Sequence, residues 1–410
     1  MQVSILTTSL LILLSIAVDA SAEEAAQSAS ASGAGITRPF ELRTVDYGEW
    51  GHLEYSRIIL EPPDQYIDLS EDLKAQQNET VWKIAGNSIE DVSRVLLECG
   101  IPGDTITGLL EPTAIRRNEE TGWFEIRPSD EIVLGLSSDQ RERLYPLLMP
   151  QTTKSPFFQP FALTPGGIRE VSMIPTRLPD DTVNLIEELT YRMGRVKRFS
   201  DVNFLFARAE NFEEKRRILK VLGRETSLSV RIVLSDESNL KGLEYYWSSG
   251  GRNREILPIL RSVVRAPGVE RLDIAHLLPP TPRKLIHTYP SPSGYGIAGD
   301  MPDCFWTAFS FFADDPPERH LDFTNHVFLE RYEPTSPPFK LGDLILIQNE
   351  EEGTWIHACN YIAEELVFTK NGKSMGRPWI ISHLSSVVES YLKDENVKAT
   401  FYRLKPGYLR

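Results

Sequence analysis

Three cysteines in 410 residues, Cys99, Cys304 and Cys359, are too few and too odd in number to frame a disulfide scaffold, and a chain of this length does not need one. No Cys-x-x-Cys knuckle occurs. His357-x-Cys359 on a strand places both side chains on one face, and Cys304 makes a third sulfur or nitrogen donor, but no fourth ligand is spaced near them, so a closed zinc site is not expected. Positive charge is also short. Lys and Arg number 44 against 58 Asp and Glu, giving a net charge of -14, and such a surface repels a phosphate backbone; nucleic acid is excluded as an expected partner. The mixed clusters Arg192 to Arg198 and Lys215 to Arg217 are expected to be solvated helix faces. No internal repeat is present. No cofactor motif is expected to act either.

A long apolar run is missing as well. The N-terminal run Ile5 to Val18 is short for a bilayer span, and Ala20-Ser21-Ala22 behind it supplies the small residues of a cleavage site. No Lys or Arg precedes the run, so the amino terminus alone carries positive charge there. The expectation is an exported, periplasmic or extracellular protein with no stable membrane span after cleavage. Residues 1–22 form the signal peptide, and 23–39, mostly Ala, Ser, Gly and Glu, a flexible linker. Asn78-Glu79-Thr80 is a glycosylation sequon, meaningful only in a eukaryotic secretory pathway.

What is present is ordinary globular composition, 41% hydrophobic and 25% charged. Residues 40–150 read as an N-terminal α+β subdomain. Extended chain from Phe40 to Leu69 is followed by a capped helix from Ser88 that carries Val92, Val95 and Leu96 and ends at Gly100. Gly122 to Leu136 reads as strand, and Ser137-Ser138-Asp139 caps a helix to about Leu148. Residues 151–288 read as mainly helical, with helices from Asp180, Phe212 and Leu257 and a strand from Leu228 to Leu234. Cys99 fits a buried small hydrophobe. Tyr245 to Arg252, aromatic next to glycine, fits a packed loop before a helix better than a ligand loop. Pro279-Pro280-Thr281-Pro282 and the Ser/Pro/Gly run after Pro290 mark the boundary of a last unit, 289–410.

That unit carries the chemistry. Asp303-Cys304-Phe305-Trp306-Thr307 reads as a short helix with Cys304 in its opening turn, where amide dipoles favour a thiolate. Gly342-Asp343 leads into the apolar strand Leu344 to Ile347, and Trp355 to Ile362 is a strand with His357 near its start, an imidazole placed to serve the sulfur as general base and acid. Leu366 to Thr369 follows, then the turn Lys370-Asn371-Gly372. Pro378 opens a helix bearing Ile381, Leu384, Val388 and Leu392, and Val397 to Leu404 closes as a strand. His320, His326 and His383 compete for the role of base from loops or helices; His52, His276 and His287 lie outside the unit.

Asp303-Cys304, Gly342-Asp343-Leu344 and His357 followed by Tyr361 resemble the motifs of the NlpC-type branch of papain-like cysteine peptidases and amidases. The resemblance covers Tyr289 to Arg410. Phe305-Trp306 stands where that family has Ser-Gly, and Tyr295-Gly296-Ile297-Ala298-Gly299 only weakly matches its Tyr-x-x-Gly-Gly segment. It implies an α+β fold whose C-terminal domain is papain-like, a helix packed on an antiparallel sheet, behind a mixed, largely helical N-terminal region. It further implies Cys304 as nucleophile, His357 as base, and an orienting residue at Thr369 or Asn371. Asn371 is preferred, since an amide oxygen orients an imidazole better than a hydroxyl does. Tyr295 would assist the oxyanion hole, and the substrate class is a peptide or peptidoglycan-like crosslink of a cell wall. The competing expectation is a catalytically inactive binding or scaffold protein on the same fold.

Overall fold

The computed structural model describes residues 41–410 apart from 71–72, 74–77, 149–159, 165, 173–176, 236–237, 292–300, 317–327, 329, 392–396 and 409–410. The signal peptide and linker expected at 1–22 and 23–39 lie outside the described residues.

Sequential strands β1 (Arg43–Gly48) and β2 (Gly51–Leu60) form a hairpin, and β2 pairs antiparallel with β9 (Glu225–Val233) from His52↔Val233 to Leu60↔Glu225; β10 (Arg271–Asp273) completes the order β1-β2-β9-β10. Between them in the chain run β3 (Trp82–Ile84), β4 (Ile115–Arg117) and β5 (Phe124–Ile126), which form the sheet β3-β5-β4, and β6 (Phe161–Ala162), β7 (Tyr191–Met193) and β8 (Val196–Phe199), which form β6-β8-β7. Helices α1 (Ile89–Glu98), α2 (Ser138–Leu144), α3 (Asp180–Leu189) and α4 (Phe212–Leu222) pack among these strands.

Their limits follow from local chemistry. Ser88 caps α1 by accepting from the Asp91 N–H, and Gly100, at φ +80°, takes the left-handed conformation that ends it. Ser137 and Gln140 make a reciprocal capping box at α2. Two expectations are corrected. Gly122 to Leu136 is strand only over Phe124–Ile126; Ser129, accepting from the Ile132 N–H, starts a helix at Asp130–Gly135, so the cap outweighs the β-branched Ile132 and Val133. Arg192 to Arg198 is not a helix face but the β7/β8 hairpin, turning at Gly194 with φ +60°.

A six-stranded antiparallel sheet forms the C-terminal part. Its order is β11-β16-β12-β13-β14-β15, from β11 (Tyr332–Pro334), β12 (Leu344–Asn349), β13 (Thr354–Ala363), β14 (Leu366–Lys370), β15 (Trp379–His383) and β16 (Val397–Leu404). Helices α5 (Leu240–Trp247) and α6 (Leu257–Arg265) precede it, α7 (Cys304–Phe309) covers one face, and α8 (Leu384–Tyr391) covers the other. The helix expected from Pro378 begins only at Leu384. Trp379-Ile380-Ile381-Ser382-His383 instead pairs with β14 as a strand, because its aromatic and β-branched side chains meet Phe368 and the cover of α7. The fold is thus α+β with antiparallel sheets.

One apolar cluster runs from Ile67 to Leu222; a second joins Leu53, Val230, Ile232, Trp247 and Leu260 to Trp306, Phe311, Phe368, Trp379 and Ile381. Both run across positions where the sequence marks a boundary, 150 and 288. The Ser227 hydroxyl on β9 accepts from the Ile381 N–H on β15 at 3.0 Å, tying the first sheet to the last. In the first cluster the buried Arg141 donates to Asp201 at 2.9 Å, and the Tyr145 hydroxyl donates to the same carboxylate.

Breaking that buried pair leaves a guanidinium uncompensated. Asp201→Ala is expected to lower stability by about 3–5 kcal/mol, read as a lower urea midpoint at unchanged transition slope.

Candidate active site at Cys304

Asp303 starts α7 by accepting from the Trp306 N–H at 2.9 Å, and the Thr307 hydroxyl donates to the Asp303 carbonyl at 2.7 Å. The Trp379 indole N–H then donates to the Thr307 hydroxyl at 2.9 Å, pinning the first turn of the helix to β15. Phe305, Ala308 and Phe309 lie on Leu344, Leu346 and Ala358. The Gly342-Asp343 pair has a packing explanation. Gly342 holds φ +85°, and a Cβ there would stand 2.2 Å from the Phe312 ring; Asp343 accepts from the Lys340 N–H at 2.8 Å and from the Arg403 guanidinium on β16. These contacts fix β12 under the helix.

Strand alternation then decides where His357 points. Ala358 joins the α7 face with Leu344 and Leu346, and the Asn360 amide donates to the Ala308 carbonyl of α7 at 3.0 Å; Cys359 and Tyr361 join the α8 face with Ile345, Ile347 and Val387. His357 has the parity of Cys359, and its ring lies 4.6 Å from that of Tyr391 on α8. Cys304 and His357 therefore approach β13 from opposite faces. They do so at one place. The β13/β14 pairing stops at Asn360↔Phe368; beyond it the Ala358 backbone amide lies on the Cys304 side, where it favours a thiolate, and the His357 Nε2 meets the Thr369 hydroxyl at 2.8 Å.

Thr369 is thus the imidazole's partner, and the preference for Asn371 is corrected: β14 ends at Lys370, so Asn371 lies past the strand and its buried Oδ1 has no hydrogen-bond partner. The His357 Nδ1 is likewise buried without a partner. An orphaned buried nitrogen costs roughly 1–3 kcal/mol.

The electrostatics describe a closed state. Cys304 is 5% exposed and His357 not at all. Burial and then the Asp303 charge push the Cys304 thiol up to about 12, against the pull of the backbone N–H groups of Ala358, Phe305 and Cys304 itself. Burial pushes His357 down to about 3, so both groups are neutral near pH 7. Burial, with Cys304 as a lesser cause, raises the Cys359 thiol, and burial raises the Tyr391 phenol.

Sequence reasoning missed Tyr391 and Lys370. Lys370 is fully buried and donates to the Gly372 and Ser374 carbonyls at 2.6 and 2.9 Å; burial pushes its amine down to about 7, opposed by the charges of Cys304 and Asp303. The turn signal Lys370-Asn371-Gly372 concealed it. The alternation Leu366, Phe368, Lys370 toward the α7 face would have exposed it.

No protein-family model, curated protein or solved structure matches this chain. Its own residues carry the functional argument.

Tyr295, His320 and His326 lie outside the described residues. His383, at the end of β15, packs edge-on to Tyr55 at 5.2 Å, and the His287 Nε2 lies 3.3 Å from the Leu228 carbonyl. His52 and His276 lie outside the C-terminal sheet. Among the described residues no three His, Cys, Asp or Glu side chains group as metal ligands, and no helix is long and apolar enough to cross a membrane. Tyr245 to Trp247 is the end of α5 and not a loop; Tyr245 is exposed, whereas the Tyr246 hydroxyl donates to the Ile362 carbonyl and the Arg252 guanidinium lies 3.8 Å from the centre of the Phe312 ring. Cys99 sits in the first apolar cluster. Asn78 accepts from Lys215 at 2.7 Å.

Because the folded state holds His357 neutral down to about pH 3, the unfolded chain binds more protons between there and about pH 6.5, so stability falls as pH falls through that window. Between pH 7 and pH 4 the loss from this residue is expected to be about 3 kcal/mol. Urea midpoints should show His357→Gln losing correspondingly less over the same interval.

Proposed function

We propose that the chain is an exported thiol hydrolase whose C-terminal domain is papain-like, cleaving an amide bond through a Cys304 acyl-enzyme. The observation that carries this reading is the convergence on one break in the β13/β14 ladder. A cysteine sulfur set among backbone N–H groups and an imidazole held by Thr369, with its other nitrogen bare, both border it. In the reaction the break first opens so that the bare His357 Nδ1 comes to the sulfur's side; the thiol proton then passes to it and the sulfur attacks the carbonyl carbon. The amine leaves with that proton, and water then cleaves the thioester. The amides of Ala358 and Phe305 are the donors available to the developing negative charge. Peptides, including the crosslinks of bacterial walls, are the proposed substrates, and the N-terminal region positions them. Export rests on the Ile5 to Val18 run and the Ala20-Ser21-Ala22 segment.

Turnover requires the site to open, because the sulfur is buried and the imidazole lies on the other face of the sheet. Those same two facts favour a second reading, a non-catalytic binding protein on this fold.

Limiting iodoacetamide, with the labelled peptide identified by mass spectrometry, separates the two. A hydrolase should label Cys304 ahead of Cys99 and Cys359 at pH below about 7, as paired thiols do, and His357→Ala should abolish that lead. Labelling no faster than an ordinary thiol supports the binding protein.

A further inference from the structure

The α7 face of the break holds a second basic group. Carrying the β13/β14 register two residues past its last pair, Asn360↔Phe368, sets Lys370 across from Ala358, whose backbone amide favours a thiolate at Cys304. Lys370 shares the parity of Phe368, which packs with Trp306 and Phe311, so its side chain lies on the same face as α7. Its Nζ is 5.9 Å from the centre of the Trp379 ring, and that indole is hydrogen-bonded to Thr307 in the first turn behind Cys304. The amine is sealed from solvent, and its two acceptors among the described residues, the Gly372 and Ser374 carbonyls, carry no formal charge. A lysine ammonium has three donors, so one remains. A buried cation bonded only to carbonyls is costly unless a negative group faces it. Among the described residues, the groups around the break that can titrate or carry charge are Asp303 before α7, Cys304 on it, His357 and Cys359 on β13, and Tyr391 on α8 with Arg377 and Arg198 acting on it.

We propose that Lys370 is a positioning residue of the Cys304 site, its ammonium serving as the fixed counter-charge that holds the thiolate once the thiol proton has left for His357. This rests on the hydrolase reading and adds a cation to it. Lys370 accepts no proton from the thiol and touches no substrate; it acts through the charge of the sulfur. The same amine ties the Gly372 and Ser374 carbonyls to the end of β14.

The test is the pH profile of Cys304 alkylation by iodoacetamide in the full-length protein and in Lys370→Gln, Lys370→Arg and His357→Ala. Glutamine keeps amide donors for the two carbonyls and removes the charge. The half-maximal pH in Lys370→Gln is expected to rise by about one unit, a roughly tenfold slower reaction at pH 6.5, with Lys370→Arg restoring most of it. A Lys370→Gln profile that superimposes on the wild type overturns the proposal and leaves the hydrolase standing. A wild-type profile with no labelling of Cys304 below pH 7 removes both. Should Lys370→Gln not fold, nitrogen-15 NMR of lysine-labelled protein gives the same answer. The titration midpoint of Lys370 should be higher in protein whose Cys304 has been carboxymethylated with iodoacetate, which sets a negative group at the sulfur, than in protein carbamidomethylated with iodoacetamide, and equal midpoints overturn the proposal.

Discussion

A hydrogen-bonded ladder that stops early governs this structure. β13 and β14 pair through Asn360↔Phe368 and no further, although both strands continue. The N–H of Ala358, which a longer β14 ladder would have paired, instead favours a negative charge on the Cys304 sulfur. The helix start must therefore sit where it does. Asp303 caps it, Thr307 and Trp379 pin it to β15, and Gly342 lets Phe312 lie against the backbone at the head of β12. Each contact brings a different element to the same break.

The balance at the sulfur runs between burial and the amides. Desolvation and the Asp303 carboxylate disfavour a thiolate, and three backbone N–H groups favour one; in the closed state burial wins. His357 is subject to the same force with opposite sign and stays neutral. On the proposed hydrolase reading, water or a substrate carbonyl would switch such a site. Solvation lowers the thiol and raises the imidazole together, which moves both toward the ion pair that thiol chemistry uses.

The N-terminal half is a buttress to this arrangement. β9 bonds to β15 through Ser227 and Ile381, Tyr246 of α5 bonds to the Ile362 carbonyl of β13, and the Leu53 to Leu260 side chains share a core with Trp306 and Trp379. A displacement of β15 would move the indole that holds Thr307, so the residues before Cys304 bear on the site through packing as well as through any contact with substrate.

Much of the framework was legible in the chain. Capping residues marked α1 and α2, continuous apolar runs marked β12, β13 and β14, and Asp303-Cys304, Gly342-Asp343 and His357 fall on elements that the fold brings to one break, because caps and apolar runs are local properties. The strand at Trp379 was read as helix, since Ile381, Leu384 and Val388 keep helical spacing and only the neighbouring β14 selects the extended form. Lys370 passed for a turn residue, and Thr369 was ranked behind Asn371, because both judgements depend on where β14 ends and what lies opposite. The sequence by itself determined which residues could do chemistry and on which kind of element each would stand. Only the tertiary structure decided that the sulfur and the imidazole come to one break from opposite faces with a buried lysine amine beside it, because strand register and ladder length are set by pairing between segments distant in the chain.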